Sequence, residues 1–183
     1  MNSANDSDER ETLYSALFQI LDGLWFMKTE EQFGFDKALQ IDRDVWKIFG
    51  QKEAQRLVKY YQDKGILKKN DSPVKALEML LVKSLFNKTL KFHIEKTGEE
   101  LFFWVDDCKT LAGMKKVGRP ETQASTVCYE IGFTFYDSFA KAVDPAFTTE
   151  CVFTPFTKIK PKQAENGVCG WHFVLGKQAA KKR

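Results

Sequence analysis

Apolar residues in the first half of the chain recur at the three- and four-residue spacing of amphipathic helices. Leu13, Leu17, Ile20, Leu24 and Met27 form the first such row, with Thr12 as its predicted N-cap and Gly34 as its break. A second helical region is predicted over 36–64, interrupted near Asp42 and again at Gly50. Its apolar positions are Val45, Ile48, Phe49, Leu57, Val58 and Tyr61, and Gly65 is its stop. A third helix opens at Ser72-Pro73, an N-cap followed by a proline whose missing N–H costs nothing in the first turn. Ala76, Leu77, Leu80, Leu81 and Leu85 form its apolar stripe. Three amphipathic helices need a common surface to pack on.

The second half supplies one. Leu90, Phe92 and Ile94 alternate with Lys91, His93 and Glu95, the pattern of a half-buried strand. Lys96-Thr97-Gly98-Glu99 reads as a turn, and the apolar run 101–106 returns as the second strand of a hairpin. A basic loop over 113–120 leads into a helix predicted over 121–142, which Asp144-Pro145 ends. Strands follow at 148–153 and 168–175, joined by a Lys- and Pro-containing connection. The order strand, strand, helix, strand, strand predicts an α+β fold, with N-terminal helices packed on a four-stranded antiparallel sheet. Neither a repeat nor a linker divides the chain, so residues 1–183 read as one domain. Residues 10–88 form a helical half, 89–176 a sheet half and 177–183 a frayed basic tail.

Composition narrows the function. With 43% hydrophobic and 29% charged residues the chain falls among globular proteins. A net charge of +3, much of it in Lys181, Lys182 and Arg183, is too small to mark a nucleic-acid partner. The most apolar stretch, 13–27, contains Gln19 and Asp22 and falls short of the roughly 20 residues a membrane-spanning helix needs. Residues 1–12 are polar and acidic, without the pattern of a secretory leader, so the expected location is cytoplasmic. In that compartment Cys108, Cys128, Cys151 and Cys169 are read as thiols.

Those four cysteines are the leading site candidates. No CxxC pair occurs, but each element after the first strand contributes one thiol, and sheet ends beneath a crossing helix could bring them together. Converged as thiolates they would take zinc or an iron–sulfur cluster. His172 could replace one thiol, although strand alternation turns it away from Cys169. Burial as small hydrophobes and service as a reactive thiol stand as the alternatives. A second candidate is an anion site, where Lys115, Lys116 and Arg119 precede a helix opening at Pro120. Asp106-Asp107 point to opposite faces of an extended strand and so cannot act as a dyad, and His93 beside Glu95 is a candidate general base.

Several segments resemble a family of prokaryotic cytosolic proteins grouped with the L-2-amino-thiazoline-4-carboxylic acid hydrolase-like proteins. They are Gly23-Leu24-Trp25-Phe26 and Glu31-Gln32-Phe33-Gly34-Phe35-Asp36-Lys37-Ala38-Leu39, then Asp44-Val45-Trp46. Further on, the run from Phe139 to Asp144-Pro145 precedes Cys151, and Cys169-Gly170-Trp171-His172-Phe173 closes the pattern. The resemblance implies a fold like the four-vinyl-reductase-like small-molecule-binding domains. The chain departs from that pattern at Cys108-Lys109, where the family has Cys-Pro, and at Thr154-Pro155, where it has a further cysteine before proline. Both departures weaken a transferred metal site.

The expectation is therefore a small-molecule-binding domain, holding an anionic or aromatic ligand between sheet and helices near the cysteines, with zinc as the candidate cofactor. Arg119 would hold the anion, and Phe102, Trp104, Phe133 and Trp171 would form walls. The enzyme alternative is a hydrolase of a small cyclic C–N or C–S substrate, with a thiolate or zinc-bound water as nucleophile. A third class is an interaction module without chemistry, using exposed aromatics.

Overall fold

A computed structural model of the chain describes the backbone of residues 3–176 and the side chains of residues 9–176. The predicted basic tail lies outside the described residues. Five helices, α1 (Ser3–Phe33), α2 (Phe35–Asp63), α3 (Pro73–Lys83), α4 (Lys109–Lys116) and α5 (Glu121–Val143), accompany four strands, β1 (Leu90–Thr97), β2 (Glu100–Cys108), β3 (Phe147–Phe153) and β4 (Cys169–Leu175). The strands make one antiparallel sheet in the order β1-β2-β4-β3, so the fold is α+β as expected.

Local chemistry sets the helix boundaries. Gly34 alone separates α1 from α2, at φ 82°, which its missing β-carbon permits. At the far end Gly65, at φ 68°, turns its N–H back to the Gln62 carbonyl at 2.9 Å. Ser72 caps α3 by accepting the Lys75 N–H at 3.3 Å, with Pro73 in the first turn. The C-terminal end of α3 is held from α2: Glu53 accepts the Ser84 hydroxyl at 3.0 Å and the Leu85 N–H at 2.5 Å.

Three expectations are corrected here. Thr12 is not an N-cap, because α1 begins at Ser3. Helix α2 runs unbroken through Asp42 and Gly50, and Gly50 serves instead as a contact point with α5. The first half of the expected basic loop, 113–116, belongs to helix α4, whose first turn is capped by Cys108 Sγ accepting the Leu111 N–H at 3.4 Å.

The core lies between the sheet and α5. Leu101, Phe103 and Val105 of β2 and Trp171 and Phe173 of β4 face Phe135, Tyr136 and Phe139 of α5. Helix α2 packs on the outer side of α5 through Trp46, whose ring meets Phe135, Phe86 and Phe49 edge-on at centroid separations of 5.5, 5.2 and 5.4 Å. The buried Tyr136 hydroxyl donates to Asn87 at 2.9 Å, and Asn87 donates to the Leu81 carbonyl. That chain satisfies polar groups that burial would otherwise penalise. Helix α1 lies outermost, against α2.

Candidate functional site

The outermost layer borders an apolar opening. Between α1 and the segment running from α4 into α5 lies a cavity of about 380 Å³, within the size range of small-molecule sites. Ile20, Leu24, Met27, Met114, Val117 and Val127 give it mainly apolar walls. Its polar features are few. Thr110 carries a hydroxyl buried without a hydrogen-bond partner, Lys109 stands exposed at the wall, and two carboxyls, Asp22 of α1 and Asp42 of α2, reach in from one side. A second cavity of about 350 Å³, between α1 and α2, shares Asp22, Phe26 and Asp42 with the first.

Burial governs the chemistry of this pair. Desolvation pushes the Asp22 carboxyl up to about 6, with the nearby Trp46 indole N–H opposing the shift. Asp42 is pushed up to about 8, first by desolvation and then by the charge of Asp22, again opposed by Trp46. Trp46 Nε1 is itself buried with no partner at hydrogen-bond geometry. No cation contributes to either shift. Near neutral pH the pair therefore holds one proton and one negative charge in largely apolar surroundings.

Arg119 also lines the cavity, but its charge is already answered. It forms a two-pronged pair with Glu30 of α1, at 3.1 and 2.5 Å, and reaches Gln123 at 3.1 Å. The guanidinium lies 5.0 Å from the Phe26 ring centroid and 5.6 Å from that of Phe35, with the side chain only 8% exposed. In this setting Arg119 ties α1 to the start of α5. An anionic ligand would have to displace Glu30 and would meet the Asp22 charge.

The four cysteines do gather. Cys108, Cys151 and Cys169 lie at one end of the sheet on its helix-facing side, and Cys128 approaches from α5. All four are unpaired thiols. Burial raises each of them, Cys128 to about 12 and Cys151 to about 11, and the mutual charges of the group add to the shifts of Cys128 and Cys169. Among the described residues no group of three or more His, Cys, Asp or Glu side chains is arranged to hold a metal ion. The observed environment favours neutral packed thiols.

The aromatic candidates fall elsewhere. Phe102 and Trp104 sit on the sheet's other face, where Phe102 stacks on His172 at 4.1 Å and Trp104 packs with Phe153 and Ala164. Trp171 is buried in the main core against Tyr136, and Phe133 lies on α5 stacked on Tyr129. None of the four lines the α1 cavity. His172 pairs with Glu100 at 3.1 Å, and His93 pairs with Asp106 at 3.0 Å rather than with Glu95, both as partly exposed hydrogen-bonded contacts.

Sequence reasoning passed over Asp22 and Asp42. Asp22 served only as an interruption of an apolar run, and Asp42 as a break in a helix that turns out to be continuous. The available signal was a carboxyl placed among apolar helical neighbours, four residues before a tryptophan in the case of Asp42.

Over residues 13–175 the chain matches, and belongs to, DUF6125, a family of unknown function. No curated protein and no solved structure matches it. No helix among the described residues is long and apolar enough to cross a membrane.

Proposed function

We propose that this protein is a cytoplasmic small-molecule-binding domain, and that its ligand is an amphiphilic cation seated in the cavity between α1, α4 and α5. The supporting observation is the Asp22–Asp42 pair, two carboxyls desolvated at the edge of an apolar cavity, with Arg119 committed to Glu30 and no cation among the groups that shift them. A protonated amine supplies the missing charge, and an aliphatic or aromatic body of modest size fills the apolar walls. The four unpaired thiols are in keeping with a reducing compartment. A panel of small primary amines with aliphatic and aromatic bodies, followed by calorimetric titration at neutral pH, tests this. Binding to the native chain that falls at least about tenfold in Asp22→Asn and Asp42→Asn supports it, since a charged hydrogen bond contributes roughly 1.5–3 kcal/mol. Amines that bind all three proteins equally, or none of them, would refute it.

A hydrolase reading rests on the same pair, favoured by one further observation. With Asp22 near 6 and Asp42 near 8, one carboxylate and one carboxylic acid coexist at neutral pH, the complement needed for a general base and a general acid. The resemblance to thiazoline-carboxylate hydrolase-like proteins names a substrate class of small cyclic C–N and C–S compounds, whose protonated amidine would present a cation to the pair. Turnover of such a ring, with a bell-shaped pH profile that Asp22→Asn abolishes, separates an enzyme from a receptor. Amine binding with no turnover leaves the binding reading alone.

A further inference from the structure

Helix α1 carries apolar residues on its solvent side as well as on the side that meets α2. Its inward side mixes aromatic and polar residues: Phe18 packs on Trp46 and Phe49 and Phe26 on Phe35, while Ser15 is fully buried, its hydroxyl donating to the Glu11 carbonyl at 2.8 Å. Gln19 reaches the Phe86 carbonyl and the Thr89 hydroxyl, Asp22 enters the cavities, and Glu30 meets Arg119. Its outward arc is apolar: Leu13, Leu17, Ile20, Leu21, Leu24 and Trp25 are between 48% and 69% exposed. The row Leu13, Leu17, Ile20, Leu24, predicted from sequence to be a packing face, thus faces solvent. A helix with such an arc is ordinarily covered by something.

We propose that a second copy of this chain covers it, α1 pairing with its symmetry mate in antiparallel fashion around a two-fold axis near Ile20 and Leu21. Three observations favour that occupant. The four-three-four spacing of Leu13, Leu17, Ile20 and Leu24 is the seam spacing of paired helices, so the face is complementary to itself. Between Leu13 and Trp25 the arc carries no charge, which gives nucleic acid, an acidic or basic peptide, or anionic lipid nothing to recognise. The area is also sufficient: taken with Tyr14 and the adjoining Ile41 and Val45 of α2, the exposed fractions amount to about 900 Å². That exceeds the roughly 300–600 Å² usual for the largest patch on a monomer and meets the roughly 800 Å² per partner of a stable interface. Orientation follows from the ends of the arc. Parallel pairing would set Arg10 against Arg10 and Lys28 against Lys28, whereas antiparallel pairing brings Arg10 towards Glu31 of the other copy. Because Ile20 and Leu24 also line the larger cavity and Leu21 and Trp25 the smaller, the second copy would roof both.

Light scattering on the full chain tests this without reference to any ligand, so its outcome is independent of the amine proposal. The native protein is expected at twice 21.1 kDa, and the double variant Leu17→Glu, Leu24→Glu at half that mass with an unchanged far-ultraviolet circular dichroism spectrum. A native monomer, or a variant that stays dimeric, overturns the proposal. A native monomer that co-sediments with phosphatidylcholine vesicles would overturn it in favour of a membrane surface. Under mild oxidation, with the native chain as control, Ile20→Cys is expected to give a covalent dimer and Leu13→Cys to remain monomeric. Cross-linking of both variants would overturn the antiparallel arrangement.

Discussion

Gly50 of α2 lies against the Phe135 carbonyl of α5, so close that a β-carbon at position 50 would stand 2.7 Å from that oxygen and 2.5 Å from Ser138 Oγ. Two ring contacts flank this approach: Trp46 and Phe49, within a turn of Gly50, pack against Phe135 at centroid separations of 5.5 and 6.3 Å.

Replacing a mid-helix glycine by alanine ordinarily stabilises a helix by about 1 kcal/mol. Here the sign is expected to reverse. Gly50→Ala should destabilise the protein by about 1–3 kcal/mol, because the Phe135 backbone oxygen cannot rotate away as a side chain could. Equilibrium urea unfolding checks it, and a more stable variant would show that the two helices separate freely.

Gly50 also shows how far the sequence was legible. Helix periodicity, the Ser72-Pro73 start, the Gly98 turn and the strand alternation were all local signals, and the α+β order followed from them. A glycine used for close approach is indistinguishable from a helix breaker until its neighbour 85 residues away is known. The same holds for the cavity. Asp22 and Asp42 become chemically distinctive only when α1 and α2 bury them together, and Arg119 ceases to be an anion receptor only when Glu30 arrives from α1. The cysteines were legible as a cluster, since strand ends and helix turns can be counted. Their protonation could not be read in advance, because it follows from desolvation by the assembled core.

The raised carboxyls predict a specific pH dependence. A carboxyl whose folded value lies above its ordinary 3.8 imposes no penalty below about pH 4, and its ionisation opposes folding increasingly as pH climbs towards the folded value. For Asp42 that window runs from about 4 to about 8. Asp42→Asn should accordingly be more stable than the native chain at pH 8, on the order of 2–4 kcal/mol, with the gain disappearing near pH 4. Thermal or urea unfolding across that range would measure it, and a gain independent of pH would place the cause outside the ionisation of Asp42.

The thiols make a separate prediction. A cysteine moved from its ordinary 9.0 to about 11 or 12 carries at least about 100-fold less thiolate near neutral pH. Cys128 and Cys151 should react with a disulfide reagent at least about 100-fold more slowly in the native protein than in urea, and Cys108 and Cys169, raised in the same direction by burial, should also be slowed. Cys151, raised less than Cys128, is expected to react before it. A thiol titrating rapidly in the native state would restore the case for a reactive or metal-binding site.

The walls of the larger cavity come from residues 16–42 and 109–127, with α3 and the entire β1–β2 hairpin lying between them in sequence. During synthesis the carboxyl pair therefore emerges well before the surface that encloses it. A ligand that needs both walls has no site on the nascent N-terminal half. It can bind only once the chain has closed, and its free energy of binding then adds to the stability of the finished fold. Occupancy of this cavity would report completed folding as much as it reports the ligand.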